Sequence, residues 1–145
     1  MDLYRVFPQS DMNIGIVCEG ITDFYVIEAA LSAIISDDFT AIMIQPDVTP
    51  KSIRLGEGWC GVFKWCSEVL SQTGTQTEML RSVYKIIIIH IDADVAQKHF
   101  RDCGSDYNTT SGLPCNSDCP PAEDTVNNLK ALLKSWLPHN PLDDR

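Results

Sequence analysis

The spacing of apolar residues changes period several times along the chain, and each change predicts a new element. Met12 to Cys18 is a short apolar run that reads as a strand. After the Gly20-Ile21-Thr22 turn, Phe24, Ile27, Leu31 and Ile34 recur at three- and four-residue spacing. That spacing predicts an amphipathic helix, with Thr22 as its N-cap and Asp23 in its first turn. Phe39 to Gln45 reads as a second strand, ended by Pro46. Asp47 to Gly61 contains Pro50, Gly56, Gly58 and Gly61 and reads as an irregular loop. Helical spacing returns in Val62, Trp65, Val69 and Leu70, and again as a short helix over Thr77 to Ser82. Val83 to Ile91 is read as the central strand. A long polar, cysteine-containing loop over 97–121 follows. The last helix opens at Pro120-Pro121-Ala122-Glu123-Asp124, turns Val126, Leu129, Leu132, Leu133 and Trp136 to one face, and stops at Pro138 and Pro141.

Continuous β-branched runs bounded by polar residues are the mark of strands covered on both faces. With the order β-α-β-α-β-α, the expected fold class is α/β, a three-layer Rossmann-like sandwich with a mainly parallel sheet. The 145 residues read as a single domain. No strand-like run follows the last helix, so the expectation is either a minimal fold or the N-terminal part of a longer protein.

In open α/β sheets, ligands bind beyond the carboxyl ends of the strands. Glu19, Asp23, Asp92 and Asp94 all fall at or just past such ends. In an extended strand, alternate residues share a face, which places His90, Asp92 and Asp94 together. Carboxylates converging there would repel one another unless a divalent cation lay between them. Taken singly, each acid is better explained as a solvated turn residue or a helix-capping residue; the four together favour the metal site. His90 alone reads as a packed histidine of the core.

Val17-Cys18-Glu19-Gly20-Ile21-Thr22-Asp23 resembles the first motif of the Toprim domain, an apolar strand ending in Glu-Gly with an Asp four residues after the Glu. Ile89-His90-Ile91-Asp92-Ala93-Asp94 is similar to the second motif, a strand ending in Asp-x-Asp. The resemblance spans Met12 to Asp94 and is nearest to nucleases of the overcoming-lysogenization-defect class and to small Toprim-like proteins of bacteria. It implies metal-dependent phosphodiester chemistry on nucleic acid. Glu19 would be a metal ligand or a general acid/base, Asp92 and Asp94 would hold Mg²⁺ or Mn²⁺, and Asp23 would complete a second metal site. The lysine motif that such nucleases carry downstream is not evident. Lys98, Arg101, Lys130 and Lys134 are the available cations.

Net charge narrows this picture. At −9, the chain lacks the clustered Lys and Arg that broad nucleic-acid binding requires. Tight binding to nucleic acid would then need a protein partner or a homodimer. A second reading therefore stands beside the nuclease: a non-catalytic Toprim-fold binding or regulatory module that works through a protein partner. A receiver-like phospho-acceptor domain is a third, weakened because the lysine expected at the end of a late strand is not visible. No Gly-x-Gly-x-x-Gly or Walker motif is present, and Gly56-Glu57-Gly58 is too short and too acidic to cradle phosphate.

Six cysteines complete the inventory: Cys18, Cys60, Cys66, Cys103, Cys115 and Cys119. Met1 to Gln9 has no signal-peptide apolar stretch, so the expected location is cytoplasmic, away from membranes, with reduced thiols. Cys18 reads as a small core residue. His99, Cys103, Cys115 and Cys119 form two pairs of soft ligands that could hold Zn²⁺. The competing reading is a polar loop with free thiols, or a disulfide joining Cys115 to Cys103 or to Cys119.

Overall fold

The computed structural model describes residues 12–47, 55–70, 75–104, 106, 113 and 121–137. Three strands form one parallel sheet in the order β2-β1-β3. Strand β1 (Asn13–Val17) lies in the middle. It pairs with β2 (Thr40–Gln45) from Asn13↔Thr40 to Val17↔Gln45 and with β3 (Ile86–Ile89) from Ile14↔Ile86 to Val17↔Ile89. Four helices surround the sheet: α1 (Ile21–Ile34), α2 (Gly58–Lys64), α3 (Thr75–Val83) and α4 (Ala122–Trp136). Helix α2 widens at its end into a π-type segment, Trp65–Leu70. The mixed α/β class with a parallel sheet is therefore as the apolar pattern predicts.

The sheet order differs from the sequence reading at one point. The isoleucine-rich run was expected to be the central strand, yet β3 is an edge and β1 takes the centre. Ile14, Ile16, Val17 and Cys18 are wholly buried, whereas Ile86 is 47% exposed. Apolar content alone does not set sheet order. The two later strands add to opposite sides of the first, so the first is enclosed.

Alternation along the strands builds two separate cores. Ile14, Ile16 and Cys18 face Phe24, Ile27 and Leu31 of α1, together with Ile88 and Ala41. Val17, Ile87, Ile89 and Ile44 face the opposite way, into a larger cluster with Trp59, Val62, Trp65, Cys66, Leu129 and Trp136. Helix α1 thus covers one face, and α2, its π-type extension and α4 cover the other, giving three layers. The periodicity errs at the end of α1. Ile34 is 80% exposed, and Ile35, the first residue past the helix, packs into the core in its place.

The larger core is rich in rings. Trp59, Phe63, Phe100 and Trp136 contact one another with centroids 5.1–6.5 Å apart, mostly tilted or edge-on. Such contacts add to simple area burial. They also attach the segment after β3, through Phe100, to both α2 and α4.

Two glycines of the 56–58 turn have left-handed backbones, φ +80° at Gly56 and +68° at Gly58. Non-glycine residues adopt this region at a cost. The turn swings α2 back over the sheet so that the Gly58 N–H donates to the Glu19 carbonyl, 2.8 Å. Gly61, one turn into α2, is where this layer lies closest. A Cβ there would stand 2.5 Å from both the Gly56 carbonyl oxygen and Gln45 Nε2. The buried Gln45 amide donates to that same carbonyl, which fixes the end of β2 to the turn.

Gly61→Ala tests this packing because two effects oppose each other. In an open helix the change would stabilise by up to ~1 kcal/mol. Here the methyl meets backbone, and a net loss of about 1–3 kcal/mol is expected in chemical denaturation. A stabilised variant would show that the turn is not held against α2.

Candidate acidic site at the carboxyl ends of the strands

Because β1 and β3 are parallel neighbours ending in register at Val17↔Ile89, the residues that follow them emerge side by side. The His90 N–H still bonds to the Val17 carbonyl, 2.9 Å, so the ladder extends one residue past β3. Two residues on, the Asp92 N–H donates to Glu19 Oε1 at 2.7 Å. Charge-assisted bonds of this kind are short and strong. The two acidic motifs, far apart in the chain, are thereby in direct contact.

Each acid has its own local setting. Glu19 is partly buried in the bend between β1 and α1. Asp23 lies in the first turn of α1, and its Oδ2 accepts the Gly20 N–H at 2.9 Å. Gly20, not Thr22, is the N-cap residue, so the helix starts two residues earlier than the sequence suggests. Asp23 serves as the local cap, a role favoured at a helix start. Asp92 precedes a 3₁₀ turn, Ala93–Gln97, and Asp94 lies inside it. The strand alternation expected to align His90, Asp92 and Asp94 therefore stops short, because extended backbone ends at Asp92. Asp94 pairs with Lys98 one turn on, Oδ2 to Nζ 3.3 Å, an exposed pair of small energetic weight. His90 Nε2 lies 4.0 Å from Asp92 Oδ1, and His90 Nδ1 is buried with no hydrogen-bond partner.

The electrostatics show the crowding. Burial pushes the Glu19 carboxyl above its ordinary range; the Asp92 N–H opposes this, and the charges of Asp92, Asp94 and Asp23 add to the rise. A carboxylate raised in this way is neutralised by a proton or by a cation. All four donors are carboxylate oxygens, the type preferred by hard divalent ions. Among the described residues, no three His, Cys, Asp or Glu side chains are gathered closely enough to form a ready metal shell. The four acids fit such an ion in type and in place, not yet in arrangement.

The residues considered for zinc are distributed otherwise. Cys103 is bonded to Cys60, with the Cα atoms 5.2 Å apart. Its sulfur is not a metal donor while that bond stands, and the expectation of reduced thiols throughout does not describe this pair. His99 precedes the 3₁₀ turn Phe100–Cys103, where its N–H donates to Asp102 Oδ2, 2.9 Å. Cys115 and Cys119 lie outside the described residues. Cys18 and Cys66 are free and buried, with burial the main cause of thiol pKa values pushed up to about 11 and about 12. Both behave as small apolar residues at neutral pH. Cys60 was assigned no role from the sequence, and no local spacing marks it as the partner of Cys103.

Beside the acids, a cavity of about 200 Å³ opens between the end of β3 and α4. Ile89, His90, Ile91 and Ala93 line one wall; Leu129 and Lys130 are among the residues of the other. Lys130, one of four cations considered from the sequence, thus lines the same cavity as His90. Among the described residues, no helix is long and apolar enough to cross a membrane. Compared with models of protein families, with curated proteins and with solved structures, the chain matches none.

The raised Glu19 pKa has a consequence for stability. The folded chain holds the Glu19 proton more tightly than the unfolded chain does. Stability therefore falls as pH rises from the ordinary carboxylate value of 4.5 through the raised one, and the penalty is complete above it. Glu19→Gln keeps an acceptor for the Asp92 N–H and removes the charge. In chelator at neutral pH it should raise Tm and flatten this pH slope, as read by thermal melts across pH. An unchanged slope would show that Glu19 carries no such penalty.

Proposed function

We propose that this chain is a Mg²⁺- or Mn²⁺-dependent, nuclease-like Toprim domain that processes phosphodiester bonds of nucleic acid. The observation that carries the reading is the 2.7 Å contact between Glu19 Oε1 and the Asp92 N–H. It joins the Glu-Gly and Asp-x-Asp motifs at the carboxyl edge of a parallel sheet, where α/β folds place their ligands. Asp92 and Asp94 would hold the ion, with Glu19 and Asp23 as the further carboxylates. A divalent ion there supplies polarisation of a phosphoryl oxygen and lowers the pKa of water in its shell. Glu19, with its pKa raised above the ordinary carboxylate range, is the group suited to take up and return a proton. The Asp92 N–H fixes the orientation of its carboxylate.

A second reading has its own support. The net charge of −9 favours a non-catalytic module of the same fold, which works through a protein partner. Both readings keep the acidic end as the functional surface. They differ in whether a phosphodiester is cleaved there.

Calorimetric titration of Mn²⁺ separates the outcomes. Wild type should bind, and Asp92→Asn should weaken binding by about 100-fold, since ligand charge sets affinity at such sites. Cleavage of a labelled oligonucleotide should need the metal and be lost in Glu19→Gln. Binding without cleavage would select the module reading. The absence of binding by a folded wild-type chain would remove the metal site altogether.

A further inference from the structure

The Cys60–Cys103 bond joins the two parts of the chain that frame the acidic end. Cys60 lies in the first turn of α2, two residues after Gly58, whose N–H is bonded to the Glu19 carbonyl. Cys103 closes the short 3₁₀ turns that run on from Asp92 and Asp94. The bond therefore ties the support of Glu19 to the segment that carries the other acids, across a sequence separation of 43.

The two sides are held by unequal means. The β1 side is fixed by ladders on both flanks and by two buried cores. The segment from Asp92 to Gly104 makes main-chain bonds that mostly close local turns, Val95 to Asp92, Lys98 to Val95, Asp102 to His99 and Gly104 to Arg101, with one longer bond from the Leu113 N–H to the Lys98 carbonyl. It is anchored by the packing of Val95, Ala96 and Phe100 and by the disulfide. Short turns with few long-range bonds belong to the low-stability end of a fold, where local opening is cheapest. The sheet and its cores include two cysteines, Cys18 and Cys66, that remain unbonded within them. Among the described residues, this is the one disulfide, and it restrains one segment of the fold.

We propose that Cys60–Cys103 is a redox-controlled latch that holds the Asp92–Cys103 segment, and with it the Asp92 N–H, against Glu19. In the oxidised chain the acids of both motifs are kept together. Reduction by a dithiol proceeds through attack of one thiolate on a sulfur of the pair, which releases the other cysteine as thiolate. The second thiol of the reductant then displaces the first cysteine. The protein gains two thiols and two electrons, and the reductant leaves as its disulfide. A disulfide-bearing oxidant reverses the exchange. Cys18 and Cys66, buried in the two cores, do not compete for it. The consequence for metal chemistry rests on the function proposed above; the latch itself does not.

Amide hydrogen exchange on the full chain tests the latch. Peptide mapping without reductant should find Cys60 joined to Cys103. Excess dithiothreitol, or the double change Cys60→Ser and Cys103→Ser, should speed exchange of the Asp92–Cys103 amides about tenfold or more, while Ile16 and Val17 stay protected. Equal exchange in both redox states would overturn the proposal. So would loss of β1 protection in step with the segment, since the bond would then be a staple of the whole fold. Finding Cys60 and Cys103 unbonded under oxidising conditions would overturn it as well. Mn²⁺ titrated into both forms reads the other question: faster exchange on reduction with Mn²⁺ bound by neither form supports the latch and removes the metal reading.

Discussion

Everything at the acidic end depends on β1 being hydrogen-bonded on both sides. A strand with parallel neighbours at each edge has its register fixed twice, once against Thr40–Gln45 and once against Ile86–Ile89. Burial of Ile14, Ile16, Val17 and Cys18 on two faces then makes a one-residue slip prohibitive, because it would exchange the residues of the two cores. With register set, Glu19 and Asp92 have to emerge together. The sheet brings the two within reach, and neither residue needs a long-range search to find the other.

The same constraint explains why the site is under electrostatic tension. Parallel strands send their carboxyl ends in one direction, so acids placed after two adjacent strands share one small region. Water is partly excluded from Glu19 by its place in the bend, and three further carboxylates raise its pKa. The protein relieves some of this with main-chain N–H groups, from Asp92 to Glu19 and from Gly20 to Asp23, and with the Lys98 ammonium beside Asp94. What remains is an excess of negative charge with hard oxygen donors, and that excess is what a divalent cation would neutralise.

Much of this fold was legible in the sequence wherever one strong period decided an element. Strand β1, helix α1, strand β2 and helix α4 lie within a few residues of the positions that their apolar spacing predicts. Sheet order was not legible, because Ile86–Ile89 is as apolar as a central strand and lies at the edge. The four acids could be named from their positions after apolar runs, but their settings could not. Gly20 is the N-cap of α1 where Thr22 was expected to be, with Asp23 bonded back to it, and Asp94 enters a 3₁₀ turn where extended backbone was assumed. The pairing of Cys60 with Cys103 was hidden for a different reason: the two meet only through the packing of α2 against the Phe100 turn, and no local pattern encodes that. Cys115 and Cys119 stay outside what the structure describes.

The register of β1 also bears on how the chain comes to be folded at all. Ile14 pairs with Ile86, so the strand at the heart of the sheet is synthesised long before its second partner exists. Pairings between residues so distant in sequence form slowly, since a large loop must close before any contact rewards it. Until β3 arrives, one edge of the most buried strand among the described residues lacks its partner. During synthesis the nascent chain therefore passes through a stage in which a bare strand edge is open to wrong partners, and the speed with which the later half emerges governs how long that stage lasts.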